Sequence, residues 1–165
     1  MRWLAPSWAI VGFSGLMLWA IYRLALITVD ALQMPMSVLA WALLIINTLF
    51  MAWSEGYRGF QQAYSPRFAR RVVLLRTTES FPNMLLAPLF AMGFYGADPK
   101  RMRITYLIAL LLVVVIIVFH QIPQPWRGVL DAGVVVGLSW GTLATWWHCY
   151  LALTGKPLPS AIYEA

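Results

Sequence analysis

Ile104 to Ile122 reads ITYLIALLLVVVIIVFHQI, an apolar run without a single Asp, Glu, Lys or Arg. A helix needs about 20 predominantly apolar residues to cross the hydrocarbon core of a bilayer, and this stretch meets that length by itself. Three further runs satisfy the same criterion. Trp8–Thr28 (WAIVGFSGLMLWAIYRLALIT) is interrupted by Arg23, Met36–Trp53 reads MSVLAWALLIINTLFMAW, and Val129–Leu153 (VLDAGVVVGLSWGTLATWWHCYLAL) is long enough to tilt. No strand-like alternation separates turn signals, which argues against a β-barrel. The expected fold is an all-α integral membrane protein of four transmembrane helices, one membrane domain over residues 1–165.

The whole-chain composition agrees. Of 165 residues, 61% are hydrophobic and 11% charged, and the mean hydropathy is +0.72. Soluble domains carry about 25% charged residues, and disordered chains are poor in apolar ones. A single cysteine makes no internal bridge. The net charge of +6 is spread through apolar sequence and reads as a topology signal, not as a nucleic-acid surface. The amino-terminal MRW and the apolar run after it partly fit a signal peptide. The run is too long for one and lacks a small-x-small cleavage site, so it is expected to be a retained helix.

Between the second and third spans lies Phe81–Gly96 (FPNMLLAPLFAMGFYG), started by Pro82, broken by Pro88 and preceded by Arg76 and Glu79. As a straight helix it reaches about 24 Å, which leaves a thin fifth span or a re-entrant hairpin open. Basic residues favour the second. If the segment does not cross, all but Arg127 and Arg23 of the twelve Lys and Arg fall on one face. If it crosses, they divide almost evenly. The positive-inside rule therefore favours four spans with both termini cytoplasmic, in a bacterial inner (plasma) membrane.

The same region, residues 55–103, opens with EGYRGFQQAYSPRFARRVVLLR. Ser65 and Pro66 suit a helix start, and Phe60, Tyr64, Phe68, Val72 and Leu75 recur at helical spacing. Arg67, Arg70, Arg71 and Arg76 fall largely off that stripe. The pattern predicts a basic amphipathic helix at the membrane surface, with its arginines among anionic lipid headgroups.

Four features carry the candidate chemistry. Gly133, Gly137 and Gly141 lie four apart, with Thr145 next in line, a small-residue ridge suited to close helix approach. The approaching helix belongs either to this chain or to an oligomer partner. Arg23, Asp30 and Asp131 are ionisable groups inside or beside spans; Arg23 is expected to pair with Asp131 or Asp30, and a proton or cation relay through the carboxylates is the alternative. His120 and His148 raise haem or pigment ligation, but antiparallel spans put them at opposite faces, about 30 Å apart. The sequence identifies no cofactor and no metal site. Glu55 to Phe60 is expected to be a polar turn at the cytoplasmic end of the second span, with Glu55 beside Arg58. Cys149 has no base arranged around it, so nucleophilic catalysis is unsupported.

These features predict a small non-enzymatic structural or accessory subunit that packs against partner helices, as a homo-oligomer or within a larger membrane complex. The alternatives are an oligomeric carrier or channel using Asp131, Asp30 and Arg23, and a lipid- or pigment-binding protein. The lipid bilayer and anionic headgroups are expected partners; nucleic acid is not.

Overall fold

The computed structural model describes residues 3–77 and 84–159, and all the regular structure among them is helical. Helix α1 runs over Leu4–Leu32. Helix α2, Val38–Met51, is started by Ser37, whose Oγ accepts the Ala40 N–H at 3.2 Å. It continues without a break into a π-helical segment, Ala52–Tyr64, and then into α3, Ser65–Leu74, closed by a 3-10 turn at Leu75–Thr77. Helix α4 is short, Ala87–Met92, and stops at Gly93, whose φ of +92° is open to glycine without strain. Helices α5, Pro99–His120, and α6, Trp126–Leu153, complete the chain.

Helix α6 is the hub. It runs antiparallel to α1, since the end of α6 meets the first half of α1 and the start of α6 meets the end of α1. Trp146 Nε1 donates to Ser14 Oγ at 2.8 Å, Gln124 Nε2 donates to the Ile27 carbonyl at 3.1 Å, and the Gly128 α-carbon faces Ala31. It runs parallel to the α2–π–α3 helix, pairing in order with Asn47, Met51, Glu55, Phe60 and Ser65. The best-filled core closes the end where α1 begins and α6 finishes, with Phe13, Phe68, Val72 and Leu75 packed among Ala5, Ala9, Ala87, Ala91 and Cys149. Helix α5 stands outside this arrangement. None of its residues is buried, and it is held near its start, where Tyr106 Oη donates to the Phe94 carbonyl at 3.0 Å.

Four helices are long and apolar enough to cross a membrane: Leu4–Leu32, Val38–Thr77, Pro99–His120 and Trp126–Leu153. They overlap the four apolar runs of the sequence, but the second is much longer than Met36–Trp53. The separate surface helix expected after it does not exist as such. Its stripe of Phe60, Tyr64, Phe68, Val72 and Leu75 packs on α1 and α6, because burying that stripe within the chain needs only that α2 be prolonged. The described part of Phe81–Gly96 does not traverse the bundle. Six residues of α4 span about 9 Å; Pro88 sits against Gly12 and Trp8 Nε1 donates to the Leu85 carbonyl at 3.1 Å, both near the start of α1. Residues 81–83, with Pro82, and Glu79 lie outside the described residues, as do Arg2 and the end of the tail.

Candidate functional site: the π segment on the glycine face of α6

A π-helix is normally a single widened turn, often at a functional site; here it lasts thirteen residues. The glycine face of α6 accounts for it. Small residues recur on α6 every fourth position, at Gly133, Gly137, Gly141 and Thr145. The side chains that meet them are Met51, Glu55, Phe60 and Ser65, spaced four, five and five apart. An ordinary α-helix rotates residues five apart off a common line, whereas the wider i→i+5 turn brings them back onto it. The π segment thus keeps four successive side chains aimed at one straight ridge.

Each glycine of that ridge is occupied. A Cβ at Gly133 would collide with Asn47, one at Gly141 with the Phe60 ring, and one at Gly137 would lie 2.7 Å from Glu55 Oε2. Gly56 is the reciprocal case, with Trp140 Cβ 2.9 Å from where its own Cβ would be. Asn47 Nδ2 donates to the Val129 and Leu130 carbonyls at 2.9 and 3.1 Å. Thr145 donates to the Gly141 carbonyl and accepts from Ser65, both at 2.8 Å. The ridge therefore lies within the chain, against α2 and the π segment, and Thr145 extends it as a buried hydrogen-bonding step.

Glu55 sits at the middle of this contact, opposite Gly137 near the midpoint of α6. Its Oε2 is buried and has no hydrogen-bond partner among the described residues. Expected as a turn residue at the end of the second span, it is an inward-facing helical residue instead, because the helix does not stop at Trp53. The apolar recurrence of Phe60 and Tyr64 beyond it was the available signal. Arg58, expected beside it, has its guanidinium over the Trp53 ring at 5.2 Å. Thr48 Oγ1, two turns earlier, is likewise buried without a partner among the described residues.

Beside the ridge, a groove of about 500 Å3 opens between the π segment and α6, walled by Trp140, Leu143, Trp147 and His148. Gln61 Oε1 accepts Trp140 Nε1–H at 2.8 Å and joins its two walls. His148 is buried, and its Nδ1 lies 2.7 Å from the Ala144 carbonyl one turn back; that contact fixes the proton on Nδ1. His120 is exposed at the far end of α5, so the two imidazoles are at opposite ends of the bundle and share no site. Among the described residues no three His, Cys, Asp or Glu side chains come together as metal ligands.

The remaining charged candidates sit elsewhere. Asp30 does not pair with Arg23, and neither does Asp131. The partner of Asp131 is Arg127, one turn away on α6, with Nε and Oδ2 3.7 Å apart. Arg23 is exposed, with its guanidinium 5.9 Å from the Trp19 ring, and Asp30 is exposed near the end of α1. The arginines of α3 gather at the other end. Arg71 lies over Phe90 at 4.5 Å and donates to the Tyr95 and Gly96 carbonyls at 3.3 and 2.7 Å. Arg67 Nε donates to the Ala63 carbonyl at 2.7 Å, and the charge of Arg101, at the start of α5, is felt by both Arg67 and Arg71. Arg76 stacks on Trp3 at 4.0 Å, and Arg70 is half-buried on α3.

Fold and site together define an all-helical chain with four helices long and apolar enough to span a membrane, organised around one buried glycine ridge. No family model matches the chain, and no curated protein or solved structure is similar to it.

Proposed function

We propose that this chain is a non-enzymatic accessory subunit of a larger membrane assembly, and that α5 is its docking helix. The observation that supports this reading is the contrast between α5 and α6. Half of the most apolar window of α6 is buried within the chain, and none of that of α5. Helices in a bilayer associate through close packing, not through hydrophobic exclusion, and α5 packs on its own chain only near its start, at Thr105 and Tyr106, with none of its residues buried. Its surface from Leu107 to Val118 is Leu, Ile and Val with Ala109 as its one small residue. Two such surfaces approach each other poorly. The occupant we assign is therefore a helix of a different subunit, carrying the small residues that α5 lacks.

The test is native mass spectrometry of the full chain extracted gently from its own membrane, with the Leu111→Ala/Ile116→Ala variant of α5 alongside a Leu43→Ala/Ile46→Ala variant of the exposed face of α2. A discrete heavier complex of fixed stoichiometry, lost in the α5 variant and kept in the α2 variant, is the expected result. A bare monomer carrying lipid overturns the accessory reading. A symmetric homo-oligomer overturns the choice of partner.

A further inference from the structure

We propose that Glu55 is a proton-binding site at mid-depth of the bundle, holding its proton while α6 is closed on the π segment. The inference rests on the contact itself and stands independently of what docks on α5. Glu55 Oε2 is buried, faces the bare backbone of Gly137 and has no hydrogen-bond partner among the described residues. An ionised carboxylate in such a place needs a counter-charge, and without one a buried acid takes up a proton instead.

Among the described residues no counter-charge faces it. On α6 there is no ionisable residue from Ala132 to Trp147, and on α2 there is none from Val38 to Met51. On the π segment itself, Arg58 is exposed with its guanidinium drawn to Trp53, and Tyr64 is engaged with Phe13, Phe60 and Phe68. On α3, Arg67 turns back to the Ala63 carbonyl. On α1, Arg23 is exposed beside Trp19. The ridge explains why Oε2 is covered although Glu55 as a whole is half-buried: any side chain at position 137 would displace it, and glycine lets it sit against the α6 backbone. A metal cation in its place would require several converging oxygens. Glu55 contributes one carboxylate, and Thr48, the other orphaned hydroxyl, lies two turns away.

Proton release then has a structural consequence. Removing the proton leaves an unpaired charge on a carboxyl whose Oε2 is buried against Gly137, so deprotonation favours loosening of the contact between α6 and the π segment. Proton occupancy and closure of this contact are thereby linked, in the sense that closure favours the protonated acid and alkaline conditions favour opening.

The experiment is an infrared titration of the full chain in phosphatidylcholine bilayers, comparing wild type with Glu55→Gln. The expected result is a protonated-carboxyl stretching band present in wild type at neutral pH, absent from Glu55→Gln, and lost only under alkaline conditions. Dicyclohexylcarbodiimide, which modifies protonated carboxyls, supplies a second measurement on the unaltered chain. It should label Glu55 at neutral pH, as mapped by peptide mass spectrometry, with labelling falling over the pH range in which the band disappears. Absence of both band and adduct at neutral pH overturns the proposal, as does loss of the band in the acidic range where solvated carboxyls titrate. Suppression of labelling by sodium at constant pH overturns the proton as the bound ion.

Discussion

Ser65 Oγ and Thr145 Oγ1 lie 2.8 Å apart, buried, where α3 begins and α6 has two turns left to run. Since Thr145 gives its own proton to the Gly141 carbonyl, Ser65 is the donor between them. The pair is the last rung of a register that starts with Asn47 on the Val129 carbonyl, and it forms only because the π segment has absorbed the mismatch between the two parallel helices. Interhelical hydrogen bonds of this kind in a bilayer are worth about 0.6 kcal/mol on average and up to about 1.7. A double-mutant cycle of Ser65→Ala and Thr145→Ala, read by reversible unfolding in mixed micelles, should give a coupling in that range. A coupling indistinguishable from zero would mean that the two hydroxyls meet without holding the helices.

The glycine face itself is tested by contrast within the chain. A Cβ at Gly141 would collide with the Phe60 ring, whereas a Cβ at Gly15, in α1, would meet nothing within 4 Å. Overpacking a tight contact costs about 1–3 kcal/mol, and exchanging an open helical glycine for alanine is neutral or helpful by up to about 1 kcal/mol. Gly141→Ala should therefore lower the unfolding midpoint clearly, and Gly15→Ala should leave it unchanged or raise it. Equal effects from the two would show that the ridge tolerates separation.

How much of this was legible in the sequence follows from what hydropathy measures. Four apolar runs marked four long helices, and the Gly133–Gly137–Gly141 spacing marked a face made for close approach. Hydropathy also cut the second helix at Trp53, because Ser54 to Gln62 is polar. Polarity ends an apolar run without ending a helix, and here the backbone continues in a wider turn against α6. That single boundary carried Glu55 from the bundle interior to an imagined surface turn, and the Phe60–Leu75 stripe from a helix contact to a headgroup layer. Pairwise ionic contacts were out of reach for a different reason. Spacing on one helix favoured Arg127 with Asp131 as readily as any long-range partner, and no periodicity ranks those choices.

Arg127 and Asp131 are unequal members of their pair. The aspartate side chain is 3% exposed and the arginine 23%, with 3.7 Å between Nε and Oδ2. Removing the exposed partner strands the buried one, whereas neutralising the buried one leaves a guanidinium that can still reach water. Arg127→Ala should cost about 1–3 kcal/mol of unfolding free energy, and Asp131→Asn under about 1 kcal/mol. The reverse order, measured in the same micelle assay, would show that Asp131 answers to a group other than Arg127.

Arg71 fastens the turn between α4 and α5. Its Nη2 serves the Tyr95 and Gly96 carbonyls together while the guanidinium plane covers Phe90. Tyr106 Oη also holds the turn, at the Phe94 carbonyl, so shortening Arg71 removes one of its side-chain anchors and should loosen it locally. Lysine keeps the charge but replaces the planar fork with a compact ammonium that stacks less well and reaches two carbonyls less readily. Amide hydrogen exchange of the detergent-solubilised chain should therefore accelerate over residues 93–98 in Arg71→Ala, by about tenfold or more if one charge-assisted bond of about 1.5–3 kcal/mol is lost. Arg71→Lys should fall between that variant and wild type. Amides of α6 should exchange at wild-type rates in both, because Gly128, Gly133, Gly137 and Gly141 keep their contacts with α1, α2 and the π segment whatever holds the turn. Acceleration spreading into α6 would show instead that the arginine supports the whole end of the bundle.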